Sequence, residues 1–402
     1  MNYVKELNFE VAVVGGGVAG IACALQSSRL GRKTVLLEKT VQLGGLATIG
    51  LINFFVPMCN GRGTQIIKGM AEEFFRLSVE YGYDTIPSDW KNGEPGQGKT
   101  LQRMVTRYSP TIFSMALLKE LNDNGVTVMF DTVLTHSNIN GGNIEYITAF
   151  NKSGYTKIYA DMFVDASGDA DLLRFSSIPT VIGNNYHTYI AFCSTLESCK
   201  NAVESGDIER AERVANGGIA NLYGDNHPQG KPTWDGTNGD QVSAYLIENQ
   251  LELFEKIKND DRKSRNVTML PAMCQFRTTA HIDGNYTLKE EDAYRHFEDS
   301  VCAICDFDRR DYLYEVPFGT LVKDGYNNVM AVGRCASASG YAWDVLRVIP
   351  PAILTGQVAG FAVDMAIKSG CAITDINVKE LQQKLENANV AVHFDDNLVP
   401  KN

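Results

Sequence analysis

The chain has 402 residues, of which 44% are hydrophobic and 21% charged, and its formal net charge is −11. That length suggests two or three domains of about 100–200 residues each, and that balance of residue types excludes a disordered chain. An acidic field repels phosphate backbones and anionic lipid, and no apolar run reaches the ~18 residues that span a bilayer, so neither nucleic acid nor membrane is an expected partner.

The first residues carry Lys5 and Glu6 where a signal peptide needs an apolar segment, and they run straight into a strand. Nine cysteines, scattered and odd in number, then suggest reduced thiols in a cytoplasm. Residues 9–14 (Phe-Glu-Val-Ala-Val-Val) predict a buried strand that breaks on Gly15-Gly16-Gly17. Residues 18–30 have helical spacing, 31–33 make a turn, and 34–37 predict a second buried strand ending at Glu38. Strand, tight turn, helix and strand in so short a stretch make a βαβ unit.

A helix is expected over 61–83, with Ile66, Ile67, Met70, Phe74, Phe75 and Leu77 on one face. Residues 87–98 are rich in Pro and Gly and predict a loop. Ser109-Pro110 opens a helix that Gly125 ends. Strands follow at 126–130, 132–137, 144–150 and 157–159, with Asn140-Gly141-Gly142 as a hairpin turn. Another strand, 161–165, ends in Ala166-Ser167-Gly168-Asp169. From 178 to 311 the character changes to strands, polar loops and an amphipathic helix at 240–258, with a further helix expected over 290–301. Buried-strand text returns at 329–332, followed by Gly333-Arg334, a small-residue helix from Ala352 to about 368, and an exposed amphipathic helix at 378–386.

The expected fold class is α/β: a Rossmann-like domain with a second, mixed α+β substrate or cap domain. Its parts are residues 1–177 with a helical insertion at about 60–108, the cap at 178–311, the return of the first domain at 312–372, and a C-terminal helix and tail at 373–402. No repeat and no metal-type Cys/His spacing is present, so no metal site is expected.

The pattern Gly15-x-Gly17-x-x-Gly20 follows a strand and opens a helix, the context that a dinucleotide fingerprint demands. The first glycine serves the tight turn, the second lets backbone approach a pyrophosphate, and the third packs helix on strand. Val18 and Ala19 begin the helix whose unpaired N–H groups would hold the pyrophosphate. Glu38, about 20 residues on, would accept bonds from a ribose and oppose a 2′-phosphate. The alternative is a tight turn with no ligand. Three later features favour FAD over NAD: the flexible stretch Gly44-Gly45-Leu46-Ala47-Thr48, the small residues Ala166, Ser167 and Gly168 at a strand end, and the distant Gly333-Arg334 and Arg347 segments. A cofactor gripped by both ends of a chain is a long one.

Glu38-Lys39 with Gly44 to Thr48, the Asp165-Ala166-Ser167-Gly168-Asp169 run, and Gly333-Arg334-Cys335 through Arg347 to Gly360 resemble the FAD-dependent oxidoreductase family. More broadly they resemble the glutathione-reductase-like flavoproteins, which include fumarate reductase flavoprotein subunits. The resemblance implies FAD as cofactor, with Gly15, Gly17 and Gly20 at the pyrophosphate, Glu38 at the ribose, and Gly44 to Thr48 along the path to the flavin. It implies that Val133 offers backbone to adenine, that Gly333 meets the ribityl or pyrophosphate region, and that a helix beginning near Pro351 and Ala352 points N–H groups at the flavin.

For substrate chemistry the candidates are Cys59, Asn60, Arg62, Arg277, His281, Tyr341, Trp343, Asp344 and Arg347. Arg277 and Arg62 could clamp a carboxylate or phosphate, or could sit in ordinary ion pairs. His281 or Tyr341 could move a proton, or be structural. Cys302-Ala-Ile-Cys305 has the form of a redox pair. With no second glycine fingerprint, the electron donor or acceptor is undetermined; it is a substrate, a nicotinamide docking without its own Rossmann unit, or a protein. The expected activity is hydride transfer between a small organic substrate and flavin N5. The alternatives are an electron-transfer or regulatory flavoprotein subunit and a thiol–disulfide oxidoreductase, and homo-oligomerisation stays open.

Overall fold

The structure is a computed structural model, and it describes residues 3–86 and 104–400. The expected loop at 87–98 lies outside the described residues. The chain opens with β1 (Tyr3–Asn8), which precedes the anticipated first strand, and continues through β2 (Val11–Val14), α1 (Val18–Arg29) and β3 (Thr34–Leu37). Every residue of β2 and β3 is buried, as unbroken Val/Leu runs require when both faces of a strand are covered. The short strands β4 (Phe54–Phe55) and β5 (Thr106–Arg107) pair around α2 (Met70–Glu80). The expected helix over 61–83 is therefore shortened at its start. Gly61, Gly63 and Gly69 adopt φ of 79°, 90° and 61°, which no right-handed helix contains, although all six residues of the expected apolar face are buried.

Next come α3 (Pro110–Asp123), β6 (Thr127–Met129), β7 (Val133–Asn140), β8 (Asn143–Asn151), β9 (Gly154–Tyr159), β10 (Met162–Asp165) and α4 (Asp171–Phe175). Gly141 and Gly142, both at positive φ, make the two-residue turn between β7 and β8. The strands β18 (Val329–Ala331), β10, β2, β3 and β6 lie side by side in that order, all parallel. Strand β1 instead joins β9, β8 and β7 in a second sheet.

The middle block holds β11 (Thr180–Ile182), β12 (Thr188–Thr195), α5 (Leu196–Ser205), β13 (Arg213–Ile219), α6 (Gly239–Ile257), β14 (Arg265–Met269) and β15 (Ala280–Ile282). Strands β13, β12 and β14 form one antiparallel sheet, and β11 and β15 another. The helix expected over 290–301 does not form. A single 3-10 turn at Glu290–Asp292 gives way to strand β16 (Ser300–Cys305), because the buried Val-Cys-Ala-Ile-Cys run pairs with β17 (Leu313–Pro317). That hairpin packs in the same core as α1, so the domain boundary expected at 311 falls inside it.

After β18 come α7 (Gly340–Leu346), α8 (Ile349–Ser369) and α9 (Val378–Asn387). Helix α8 begins three residues earlier than expected and crosses α1 backbone to backbone. A Cβ on Gly356 would stand 2.1 Å from the Ala19 carbonyl oxygen, and one on Gly360 2.4 Å from Gln26 Cβ. Among the described residues no single helix is long and apolar enough to cross a membrane. The bent pair α7–α8 passes that test by length and composition, but residues 349–366 are buried inside the protein.

Candidate functional site

A cleft of about 1110 Å³, its open mouth included, runs along the C-terminal ends of the five parallel strands. Its lining takes Val14 to Gly17 after β2, Leu37 to Thr40 after β3, Thr132 to Leu134 after β6, Ala166 to Gly168 after β10, and Val332 to Arg334 after β18. The chain leaves β2 in one direction towards β3 and β6, and later returns on the other side of β2 as β10 and β18. Ligands of open α/β sheets bind at such a reversal of strand order. Four strand spacings of about 4.8 Å give the cleft a reach of about 19 Å. That is a channel for an extended dinucleotide, gripped from both halves of the chain.

The three fingerprint glycines occupy three different environments. Gly15 has φ +108°, and a Cβ there would lie 2.4 Å from the Ala166 carbonyl oxygen. Gly20 faces the Gly15 carbonyl oxygen, 2.0 Å from where its Cβ would be, so it serves helix–strand packing and does not line the cleft. At Gly17, the residue preceding α1, a Cβ would meet nothing within 4 Å. Open space at that position, beside free N–H groups at a helix start, suits a pyrophosphate. Gly44 closes the same wall by donating its N–H to the Gly16 carbonyl (2.8 Å).

Glu38 is buried, and its carboxylate accepts the N–H groups of Gly16 (2.9 Å) and Thr40 (2.7 Å). The acid is thereby fixed at the β6 side of the cleft, beside Val133, before any ribose arrives. At the opposite side Arg334 lines the cleft with much of its guanidinium already engaged. Its guanidinium donates to the carbonyls of Gly168 and Phe276 and to Asp169 Oδ1 (2.8 Å), tying the β10 loop to the middle block. Asp165, beneath that loop, accepts Ser167 N–H (3.0 Å), Ser167 Oγ–H (2.7 Å) and Leu173 N–H (3.0 Å), while burial pushes its carboxyl above the usual range. Asp171 lines the cleft, and burial together with the Asp169 charge pushes its carboxyl up to about 6.

Val18, Ala19, Lys39, Gly45, Leu46, Ala47, Gly333, Arg347 and Ala352 also line the cleft, whereas Thr48 and Pro351 do not. Thr48 turns its hydroxyl onto the Leu43 carbonyl (2.5 Å). The start of α8 reaches the cleft through Ile349 and Ala352, but Pro350 and Pro351 carry no N–H and Ala352 N–H already bonds the Val348 carbonyl (3.0 Å). Only Ile349 keeps a first-turn donor, so the contribution of α8 is its dipole more than a set of N–H groups. The sequence reading did not anticipate Thr40, Ile49, Thr132, Leu134, Met273 or Ile349 in the lining. Thr40 and Thr132 were findable as the residues just past β3 and β6; Met273, in an irregular segment of the middle block, carries no local signal.

The residues expected to act on substrate fall into different places. Arg347 lines the cleft and its Nε donates to Asp344 (2.9 Å). Arg277 is largely buried behind the cleft lining, donates to Thr188 Oγ1 (3.1 Å) and the Ala220 carbonyl (3.4 Å), and has no carboxylate within ion-pair distance among the described residues. Burial and the nearby Arg347 charge make its guanidinium easier to deprotonate than an ordinary arginine. Tyr341 lies near the rings of Tyr223 and Phe307, has the Arg309 guanidinium 3.9 Å over its own ring, and donates to Asp306 (2.8 Å), away from the cleft. His281 is buried edge-on against Trp343, with Nδ1 2.6 Å from the Ile282 carbonyl, and burial lowers its pKa. Arg62 is 62% exposed and engaged with Asp311 (2.5 Å), on the surface and outside the cleft lining. Cys59 is buried and Asn60 spends its side-chain oxygen on the N–H groups of Arg62 and Thr64.

Cys302 and Cys305 are excluded as a redox pair. Both are buried in β16 with no disulfide between them, and an odd separation along a strand puts them on opposite faces. Burial also pushes the Cys302 thiol far above its ordinary pKa, so no thiolate forms near neutrality.

A family model for FAD dependent oxidoreductases matches residues 10–214 and 246–385. Among curated proteins the chain is similar to the glutamate synthase (NADPH) small chain of Escherichia coli (strain K12), with 38% identity over 90 residues, 22% of this chain and 19% of that one. It is also similar to the glutamate synthase (NADPH) small chain of Bacillus subtilis (strain 168), with 25% identity over 167 residues, 41% and 29% of the two chains. The aligned stretches thus span less than a third of either relative. Among solved structures, a geranylgeranyl bacteriochlorophyll reductase-like protein from Thermoplasma acidophilum matches 98% of this chain and 95% of its own, at 14% identity and a TM-score of 0.44. A p-nitrophenol 4-monooxygenase from Pseudomonas putida matches over 94% and 84%, at 13% identity and a TM-score of 0.46.

Proposed function

The chain belongs to the FAD dependent oxidoreductase family, and we propose that it is an enzyme moving a hydride between a small organic acid and the flavin of FAD held in this cleft. The observation that carries the substrate class is Arg277, a largely buried guanidinium with no carboxylate partner among the described residues. It stands close enough to the Asp344–Arg347 pair at the cleft for those charges to act on it. A largely buried cation whose hydrogen-bond partners are neutral, Thr188 and the Ala220 carbonyl, is stabilised further when a ligand supplies an anion. FAD, when bound, supplies a two-electron carrier that takes or gives a hydride at N5. Arg277 then anchors the substrate carboxylate, and Asp344 fixes the fork of Arg347. Met273 brings the middle block to the same wall, so the substrate enters between that block and the strand ends.

The test is an anaerobic titration of the FAD-loaded protein with NADH, NADPH and a panel of small hydroxy, amino and unsaturated acids beside their neutral amide and alcohol counterparts, followed by flavin absorbance. Bleaching by one of the acids, with KM raised at least tenfold in Arg277→Met and FAD retained, supports the reading. Bleaching only by neutral compounds contradicts the acid. The relatives named as small chains favour a second reading, an electron-transfer subunit; bleaching only in the presence of a partner protein would select it.

A further inference from the structure

We propose that His296, Glu315 and His393 form a binding site for a divalent metal of the zinc class, which clamps the C-terminal segment onto the β16–β17 hairpin. Glu315 lies in the middle of β17 with its side chain fully buried. One carboxylate oxygen is 2.5 Å from His296 Nδ1 and the other 3.0 Å from His393 Nδ1. One donor atom from each of the three residues lies within 4.8 Å of the other two. Tetrahedral bonds of about 2.0–2.2 Å place donors about 3.4 Å apart, so a small opening of these side chains accommodates an ion. Two imidazoles and one carboxylate are a zinc ligand set that leaves a fourth position for water. Both histidines are partly exposed, at 42% and 41%, so that position reaches solvent.

The surroundings orient the donors. His296 presents Nε2 to Asp396 Oδ1 at 2.9 Å, which would hold the proton there and leave Nδ1 to face the ion. Metal-bound histidines have carboxylate partners of this kind. Phe297 N–H donates to Glu315 Oε2 (2.8 Å), and Phe394 stacks on the His296 ring with centroids 4.3 Å apart. A dication balances Glu315 and Asp396 while both imidazoles stay neutral. The cluster joins a strand, the turn before β16 and the C-terminal segment, whose Ala391 carbonyl accepts Ala303 N–H (2.6 Å). None of its members lines the cofactor cleft.

The holoprotein, stripped with a chelator and titrated with Zn²⁺ against a chromogenic indicator, tests the assignment. We expect one ion per chain at micromolar affinity or tighter, weakened at least 100-fold in His393→Ala and roughly 10- to 100-fold in Asp396→Asn. Zn²⁺ should raise the melting temperature of the natural chain and leave that of His393→Ala unmoved. Both variants change exposed residues and so keep the fold. Zinc affinity equal in all three proteins, or none in any, overturns the site and leaves a hydrogen-bonded clasp.

Discussion

Gly17→Ala separates cofactor approach from packing. The residue has φ −72° and ψ 171°, which alanine adopts freely, and its added Cβ would meet nothing within 4 Å. Alanine is a poorer residue than glycine ahead of a helix, but it costs the unfolded chain less entropy, and the two effects offset to within about 0.5 kcal/mol. The stability of the cofactor-free protein should therefore hardly change. With FAD present, the methyl stands where the pyrophosphate must come to the backbone. Losing two hydrogen bonds to a charged group, at about 1.5–3 kcal/mol each, amounts to at least about 3 kcal/mol, or roughly 100-fold in affinity. Gly20→Ala is the contrasting control, because its Cβ would lie 2.0 Å from the Gly15 carbonyl oxygen and must disturb the helix–strand contact itself. Thermal unfolding of the apoproteins and quenching of FAD fluorescence read the two effects separately. Tight FAD binding by Gly17→Ala, or an apoprotein as damaged as Gly20→Ala, would refute the reasoning.

Other consequences follow from the same geometry. Arg334→Ala leaves Asp169 and two carbonyls without their donor, and should cost about 3 kcal/mol or more in chemical denaturation; an unchanged midpoint would remove Arg334 as the tie between β10 and the middle block. Asp171 has a folded-state carboxyl pushed up to about 6, above its unfolded range, so its ionisation disfavours the fold. The apoprotein should lose stability relative to Asp171→Asn as pH rises from about 4 through 6, and a difference flat with pH would contradict that. Cys302→Ala should keep full activity, since the thiol is buried and faces away from Cys305; loss of turnover in a folded variant would revive a thiol mechanism.

The βαβ unit was legible because local signals agree: a buried apolar run, glycines with distinct steric duties, and a helix of small residues. Strand β3 matches its expected bounds for that reason, and α1 nearly so. Much of the cleft lining was legible for the same cause, since Gly15 to Gly17, Glu38, Ala166 to Gly168 and Gly333 each follow the end of a strand. Failures arose where tertiary context outweighs local pattern. Residues 290–301 have helical text, yet the Val301–Cys305 run finds a strand partner in β17. The expected helix over 61–83 carries an apolar face throughout, but Gly69 holds a backbone angle that stops it extending before Met70. Arg62 and Arg277 are indistinguishable in sequence, and only the fold pairs one with Asp311 and leaves the other without an acid. His296, Glu315 and His393 show no metal spacing because the hairpin and the C-terminal segment bring them together from far apart.

Reconstitution of the purified apoprotein with FAD tests the central claim most directly. A cleft built along the ends of β6, β3, β2, β10 and β18 should take up one FAD per chain, giving a yellow protein with quenched flavin fluorescence. A protein that stays colourless at FAD concentrations far above micromolar would contradict the account.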